Sequence, residues 1–594
     1  MSPDTWPNLA TMFFEQAATG GERPFLWSKH ADAYRPQSWR RVAEEVSALS
    51  RGFRAAGVVA GDRVALVSEN RPNWAVVDLA VMAAGAVTVP AYTTNTADDH
   101  RHVLADSGAR AAVVSTPTLA ARLFEAAADA PELRFIVAME PPPGPPPGKI
   151  RLLAWNEILA AGRKQPDDTR EVAGGLRRDD LACLMYTSGT GGRPKGVMLS
   201  HGAILANCRG AFSLFDDMLV EDETFLCFLP LSHSYERTCG LYFPVFVRAQ
   251  IYYVEGAETL MTNFVEARPT IMTCVPRLYE LVRGRMLHDL AKGGALRQAL
   301  FRKALELGRR KYEAPGSLRM VERAVDALVE RLVRAKVRAR FGGRLKAFIS
   351  GGAALNYEVG LFFTALGLRL LQGYGQTETA PVVSCNHTRG TKLHTVGPPV
   401  EGAEVKIAED GEILVRGELV MKGYWNDPEA TAEVLRDGWL HTGDIGLIDE
   451  DGHIQVTDRK KEIIVNSGGD NIAPQRVEGI LMLEPEIAQA MVFGEQRPHL
   501  VGLIVPDEGF LESFAAESGR APELASLAED AAFREAIGRA VARANEGLSV
   551  IEQVRRFAVA PEPFRVDNGL MTPTLKIRRH RILARYRSVL EALY

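Results

Sequence analysis

Within the eleven positions from Tyr186 to Gly196 the chain reads Tyr-Thr-Ser-Gly-Thr-Gly-Gly-Arg-Pro-Lys-Gly, gathering three small hydroxyl side chains, four glycines and a lysine. Glycines leave backbone N–H groups open to an approaching anion, hydroxyls donate to phosphate oxygens, and an ammonium adds charge. The stretch is a phosphate loop by composition, with Thr187, Ser188, Gly189, Thr190, Gly192 and Lys195 as its contacts. It is not the GxxxxGK[ST] loop of P-loop NTPases, because Pro194 precedes the lysine and no Ser or Thr follows it. Taken alone, the same residues also read as a flexible glycine-rich turn.

The surrounding elements would position such a loop. The apolar run LACLM precedes it and the helix-like HGAILAN follows. Through the first 370 or so residues short apolar runs alternate with longer amphipathic segments: RVALVS (63–68), AAVVS (111–115), FLCFL (225–229), IYYV (251–254), TIMTCV (270–275), KAFIS (346–350) and LRLLQG (368–373). That rhythm predicts βαβ units, an α/β fold of helix-covered parallel sheets. The PPPGPPPG run at 141–148 can be neither helix nor central strand and reads as a surface connector. Beyond about residue 395 the pattern becomes short strands joined by Asp410-Gly411 and Asp451-Gly452 turns, a β-rich subdomain. After DRKKE (458–462) a smaller α+β segment ends in the basic tail TLKIRRHRILARYRS. The expected division is an N-terminal domain over 1–457, a hinge at 458–461 and a small mobile C-terminal domain over 462–594. Residues 320–337 place Met320, Val321, Ala324, Val325, Leu328, Val329, Leu332, Val333 and Val337 on one helical face, opposite Glu322, Arg323, Glu330, Arg331 and Arg334. This helix reads as packed on the main domain, or, through its basic residues, as a peripheral contact with a membrane surface.

At 594 residues the chain is longer than one hydrophobic core supports, so two or more domains are expected. Its 70 basic and 74 acidic side chains nearly cancel, leaving no global field to attract nucleic acid. Six scattered cysteines without a CxxC pair read as reduced structural thiols. With no basic-then-apolar leader and no run of 18 apolar residues, the expected location is cytoplasmic, with any membrane contact at the surface.

Five ordered stretches resemble the acyl-adenylating superfamily that includes acyl-CoA synthetases, peptide-synthetase adenylation domains and firefly luciferase. They are the loop above, then Gly373-Tyr374-Gly375-Gln376-Thr377-Glu378-Thr379, Gly438-Trp439-Leu440-His441-Thr442-Gly443-Asp444, Asp458-Arg459-Lys460-Lys461-Glu462, and Pro573-Thr574-Leu575-Lys576. The resemblance spans nearly the whole chain and implies a large N-terminal domain with a small rotating C-terminal one. It implies that Thr377 contacts the α-phosphate, that Glu378 and Thr190 serve Mg2+, and that Asp444 and Arg459 meet the ribose. It places Gln372, Gly373, Tyr374, Gly375 and Gln376 around the nucleotide and Gly352 and Ala353 against adenine. Lys576 becomes the catalytic lysine of the first step, since an ammonium stabilises charge building on the transferring phosphoryl group. Lys461 matches the hinge, and Ser467, Gly468, Gly469 and Asn471 the loop that rotation carries to the site for coenzyme A.

The stretches PLSHSYERT (230–238), 333–355 and NSGGDNIAP (466–474) are similar to the long-chain fatty acyl-CoA synthetases. The implied substrates are a fatty acid, ATP and CoA, with His233 near the reacting carboxylate. In one departure, Gly191 stands where the family's loop carries a second threonine, which shifts the phosphate role onto Thr190. The alternatives are a fatty acyl-AMP ligase serving a carrier protein and an inactive lipid-binding protein. The first would carry an insertion between Asp444 and Pro474, where none is evident; the second would lose Glu378, Asp444 or Lys576, all of which are present.

Overall fold

The computed structural model describes residues 6–187, 193–215, 217–219, 222–460, 462–572 and 576–594. Every apolar run singled out above forms a strand: Arg63–Val67, Ala111–Val114, Thr224–Cys227, Gln250–Tyr253, Ile271–Cys274, Ala347–Ser350 and Leu370–Gly375. Three of them, Ala111–Val114, Thr224–Cys227 and Ile271–Cys274, are buried at every position. Parallel strands covered on both faces by helices require such unbroken apolar runs.

Two large sheets carry the N-terminal part. A seven-stranded sheet pairs Arg63–Val67 in parallel with Val87–Ala91 and Ala111–Val114 and ends in the antiparallel hairpin of Leu181–Thr187 and Lys195–Ser200. An eight-stranded sheet pairs Ile271–Cys274, Ala347–Ser350 and Leu370–Gly375 in parallel, then turns back antiparallel through Val382–Cys385. Thr187, Ser350 and Gly375 therefore all stand at the carboxyl ends of strands, where open α/β sheets bind ligands.

The helix Pro72–Ala83 is buried along nearly its whole length. Its Asp78 accepts from Arg237 Nε at 3.0 Å and Nη2 at 2.7 Å, and from the Tyr242 hydroxyl at 2.5 Å. Arg237 and Asp78 are essentially without solvent contact. A buried ion pair adds little net stability, but leaving either charge alone costs several kcal/mol, roughly 3–5. It thus pins the register of the π-helical turn Arg237–Tyr242, which continues the helical turn Ser234–Glu236 capped by His233.

The β-rich subdomain is a five-stranded sheet in which Glu404–Ile407 pairs with Glu412–Arg416 and Trp439–Ile448 with Ile454–Arg459. Its turns fall at Asp410-Gly411 and Asp451-Gly452, with Gly411 at φ 83° and Gly452 at φ 79°. The C-terminal domain is separate. A three-stranded sheet of Ile487–Phe493, Leu500–Pro506 and Val554–Val559 packs with helices Pro474–Leu481, Ala531–Glu546 and Arg579–Glu591. Its two apolar cores, one around Val477, Phe533 and Ile537 and one around Phe564, Ile582 and Leu590, draw only on residues from Ile464 onward. All six cysteines are free and buried.

The 320–337 segment departs from expectation. Only part of its apolar face packs inward: Val329 joins Ala304 and Leu307, with Val325 and Val333 alongside, and Val337 is buried in the neighbouring core. Met320, Val321, Leu328 and Leu332 are exposed. Arg334, expected on the solvent side, is buried, donating to the Ala304 and Ala365 carbonyls at 2.8 Å each and pairing with Asp326 at 2.7 Å. Arg334 turns inward at a π-helical turn, Glu330–Arg334, whose extra residue breaks the 3.6-residue repeat there.

Candidate active site

Asp444 sits in the strand Trp439–Ile448, directly paired with Arg459 of the neighbouring strand. Its Oδ2 accepts from the Tyr374 hydroxyl at 2.7 Å and from Gln376 Nε2 at 2.5 Å, and Oδ1 lies 3.2 Å from Arg459 Nε. Three of the roughly four acceptor positions of this buried carboxylate are therefore taken. A ribose hydroxyl would use what remains or displace Gln376. Gln376 also donates to the Thr442 carbonyl at 2.8 Å, so it braces the site from two sides.

The turn Thr377–Thr379 follows immediately. A Cβ on Gly375 would lie 1.8 Å from the Pro381 carbonyl oxygen, so only glycine permits the backbone crossing that presents this turn. Thr377 Oγ1 lies 3.0 Å from Ser234 Oγ, and the Glu378 carboxylate accepts from the Tyr424 hydroxyl at 2.8 Å. Tyr424 is held there because residues 422–425 run against the edge strand: Met198 donates to the Gly423 carbonyl and Trp425 to that of Gly196. The ammonium of Lys195 lies 5.1 Å from the Tyr424 ring centroid and 3.2 Å from Asp427. Lys195 and Glu378 thus share one tyrosine, which couples the root of the phosphate loop to the carboxylate across two sheets.

His233 accepts from the Tyr235 N–H at 3.1 Å through Nδ1, leaving Nε2 to carry the proton of the neutral ring. Burial, and then the charge of Lys576, push its pKa down to about 4, so it is neutral near pH 7. Tyr235 donates to the Ile349 carbonyl at 2.8 Å, and its ring would stand 3.0 Å from a Cβ on Gly351. Gly352, at φ 83°, and the exposed Ala353 continue this ledge.

Lys576 comes from the C-terminal domain, yet its charge is felt by His233 and it in turn feels Arg459, Asp444 and Glu462. Surrounding protein, with Arg459 adding repulsion against the pull of Asp444 and Glu462, lowers its pKa to about 8. The side chain nonetheless keeps solvent contact. Water at the side chain softens the depression.

Other expected residues stand apart. Gln372 is buried and donates its amide to the Leu393 carbonyl, supporting the strand from behind rather than facing the cleft. Ser467, Gly468, Gly469 and Asn471 lie exposed on a turn closed by Asn466, whose Oδ1 accepts from the Gly468 and Asp470 N–H groups at 2.9 Å each. Ser188, Gly189, Thr190, Gly192 and Lys461 lie outside the described residues. Ser234, Tyr424 and Thr442 join the site without having been singled out. Ser234 was adjacent to a chosen residue, whereas nothing local marks Tyr424. Among the described residues no group of three or more His, Cys, Asp or Glu side chains converges as a metal cage. Glu378 nevertheless fits Mg2+, which is commonly bound through one carboxylate with phosphate oxygens and water completing its shell. Among the described residues only one Glu378 oxygen carries a hydrogen bond.

A family model described as AMP-binding enzyme matches residues 13–425, and one described as AMP-binding enzyme C-terminal domain matches 461–594. A long-chain-fatty-acid–CoA ligase of Mycobacterium bovis is 34% identical over 592 residues, covering 99% of this chain and 97% of its own. A peroxisomal long chain acyl-CoA synthetase of Arabidopsis thaliana is 32% identical over 628 residues, covering 99% of this chain and 87% of its own. Among solved structures, the adenylation domain of a carboxylate reductase from Mycobacterium chelonae superposes with a TM-score of 0.80 at 22% identity, over 100% of this chain and 92% of that one. An anthranilate CoA ligase in complex with anthranoyl-AMP does so with a TM-score of 0.73 at 21% identity, over 99% of each chain.

Proposed function

The chain belongs to the AMP-binding enzyme family, and from that premise we propose that it activates a long-chain fatty acid with ATP as an acyl-adenylate and passes the acyl group to coenzyme A, releasing pyrophosphate and AMP. The observation that carries this reading is the convergence of Tyr374, Gln376 and Arg459 on Asp444, with Lys576 of the C-terminal domain near enough for its charge to act with those of Asp444 and Arg459 and on His233. The relatives named for the same chemistry align over almost all of this chain.

In the first step the acid's carboxylate attacks the α-phosphorus and pyrophosphate departs. Asp444 and Arg459 hold the nucleotide's sugar, while Thr377 and Lys576 meet the phosphoryl oxygens on which charge grows. His233, neutral and presenting Nε2–H, donates to the carboxylate without competing for a proton. Mg2+, held by Glu378 and Thr190, would neutralise phosphate charge. In the second step a thiol displaces AMP from the mixed anhydride, a far better electrophile than the free acid. The exposed turn of Ser467, Gly468, Gly469 and Asn471 is the surface that rotation would bring to the thiol.

Pyrophosphate release measured across saturated acids of increasing length, with and without CoA, tests the reading. Turnover should appear only with long acids and should become multiple only when CoA is present. Absence of pyrophosphate with every long acid would overturn it, and turnover indifferent to CoA would remove the thioester step.

For Glu378→Ala the expected result is a first-step rate lowered on the order of 10–100-fold or more, with half-saturation by magnesium moved to higher concentration. A metal titration at saturating ATP provides the check. An unchanged magnesium response at the wild-type rate would place the ion elsewhere.

A further inference from the structure

The exposed side of the helix Met320–Val329 and its continuation has a composition that a water-facing surface rarely holds. Met320 is 85% exposed, Val321 76%, Leu328 52% and Leu332 39%. Val321, Leu328 and Leu332 recur near the four-residue spacing of a single helical stripe, and Ala324 is exposed between them. The inner face of the same helix is already occupied by Val325, Val329 and Val333 against the domain, so this second stripe serves no intramolecular packing.

The charges around it are sorted by sign. Each carboxylate of the segment is neutralised from the protein side: Glu322 by Arg310 at 2.6 Å, Asp326 by Lys311 at 3.0 Å and Arg334 at 2.7 Å, and Glu330 by Arg334 and Arg338. Arg319, Arg323, Arg331 and Lys336 are exposed, and among the described residues none of the four has an ion pair. What faces outward is therefore an apolar stripe flanked by net positive charge, on a chain whose overall charge is slightly negative.

We infer that this helix is a docking surface for a membrane bearing anionic lipid headgroups. The apolar stripe enters the boundary between headgroups and acyl chains. The long arginine and lysine stems lie along it and hold their charges at the phosphates. A second copy of the chain is the poorer occupant, because a symmetric pairing would set the same arginines against one another. No helix among the described residues is long and apolar enough to cross a bilayer, so the contact is with the surface. The inference is independent of the ligase reading, since binding is measured without substrate.

Flotation of the full chain with phosphatidylcholine vesicles, and with vesicles containing added phosphatidylglycerol, tests it. Partitioning should favour the anionic vesicles and weaken as salt is raised. Each basic residue near such a surface contributes about fivefold, so the triple variant Arg319→Gln, Arg323→Gln, Arg331→Gln should bind about 100-fold less. The double variant Val321→Gln, Leu328→Gln should also lose binding to the anionic vesicles, while keeping wild-type helicity by circular dichroism. Four outcomes would overturn the inference: no vesicle binding by the parent, equal binding by parent and variants, equal binding to neutral and anionic vesicles, or a self-association in light scattering that the double variant abolishes in place of a vesicle effect.

Discussion

Replacing Lys576 by alanine should slow acyl-adenylate formation about 100- to 1,000-fold, the range typical of losing one preorganised donor at a site of growing negative charge, while thioester formation from supplied acyl-adenylate stays near the parent rate. The asymmetry follows from when charge develops. Attack on the α-phosphorus gathers negative charge beside this ammonium, whereas thiolysis develops its charge at the acyl carbonyl after pyrophosphate has gone. Single-turnover measurement of each half-reaction separates the two, and equal loss in both would sink the assignment. The same side chain sets a pH limit. The functional form is the cation, and protein burial with Arg459 nearby holds its pKa near 8 in the free protein. First-step kcat/KM for ATP should therefore fall as pH rises through about 8, with no such limb in the alanine variant. Bound triphosphate favours the charged form, so the corresponding limb in kcat should lie at higher pH.

Lys461→Pro should form acyl-adenylate at close to the parent rate but transfer it to CoA at least tenfold more slowly, so that the intermediate accumulates. The residues on either side of the position are anchored to different domains. Lys460 is tied to the N-terminal sheet by its N–H to the Gly443 carbonyl at 2.8 Å and by its ammonium to Asp410 at 2.6 Å and Glu412 at 3.2 Å. Ile464, four residues on, already belongs to the C-terminal core. A change in the relation of the two domains must be absorbed between those anchors. Proline fixes φ near −65° and removes an N–H, so it resists a backbone that must adopt two states. The exposure of Ser467, Gly468, Gly469 and Asn471 while Lys576 is at the site supports the need for a second state. Rapid-quench detection of acyl-AMP in the presence of CoA is the measurement. Normal thioester production would show that the hinge lies elsewhere or that no large rotation is needed.

Local pattern was enough for the elements. Runs such as TIMTCV and KAFIS are strands because a doubly covered parallel strand must be apolar throughout, and Asp-Gly pairs turn because glycine accepts positive φ at no steric penalty. The motif residues Tyr374, Gln376, Asp444 and Arg459 were also legible, and the first two and Arg459 meet at Asp444. Three things were not. The sharing of Tyr424 between Lys195 and Glu378 depends on residues 422–425 crossing an edge strand more than 200 positions earlier, a contact that leaves no periodic trace along the chain. Arg334 is buried because one π-helical turn breaks the 3.6-residue repeat on which any amphipathic reading relies. For the same helix, sequence periodicity merged into one face the stripe that packs inward and the stripe left exposed. Hydrophobicity states that a side chain would gain from leaving water, but only the tertiary fold supplies, or withholds, the surface on which it can do so.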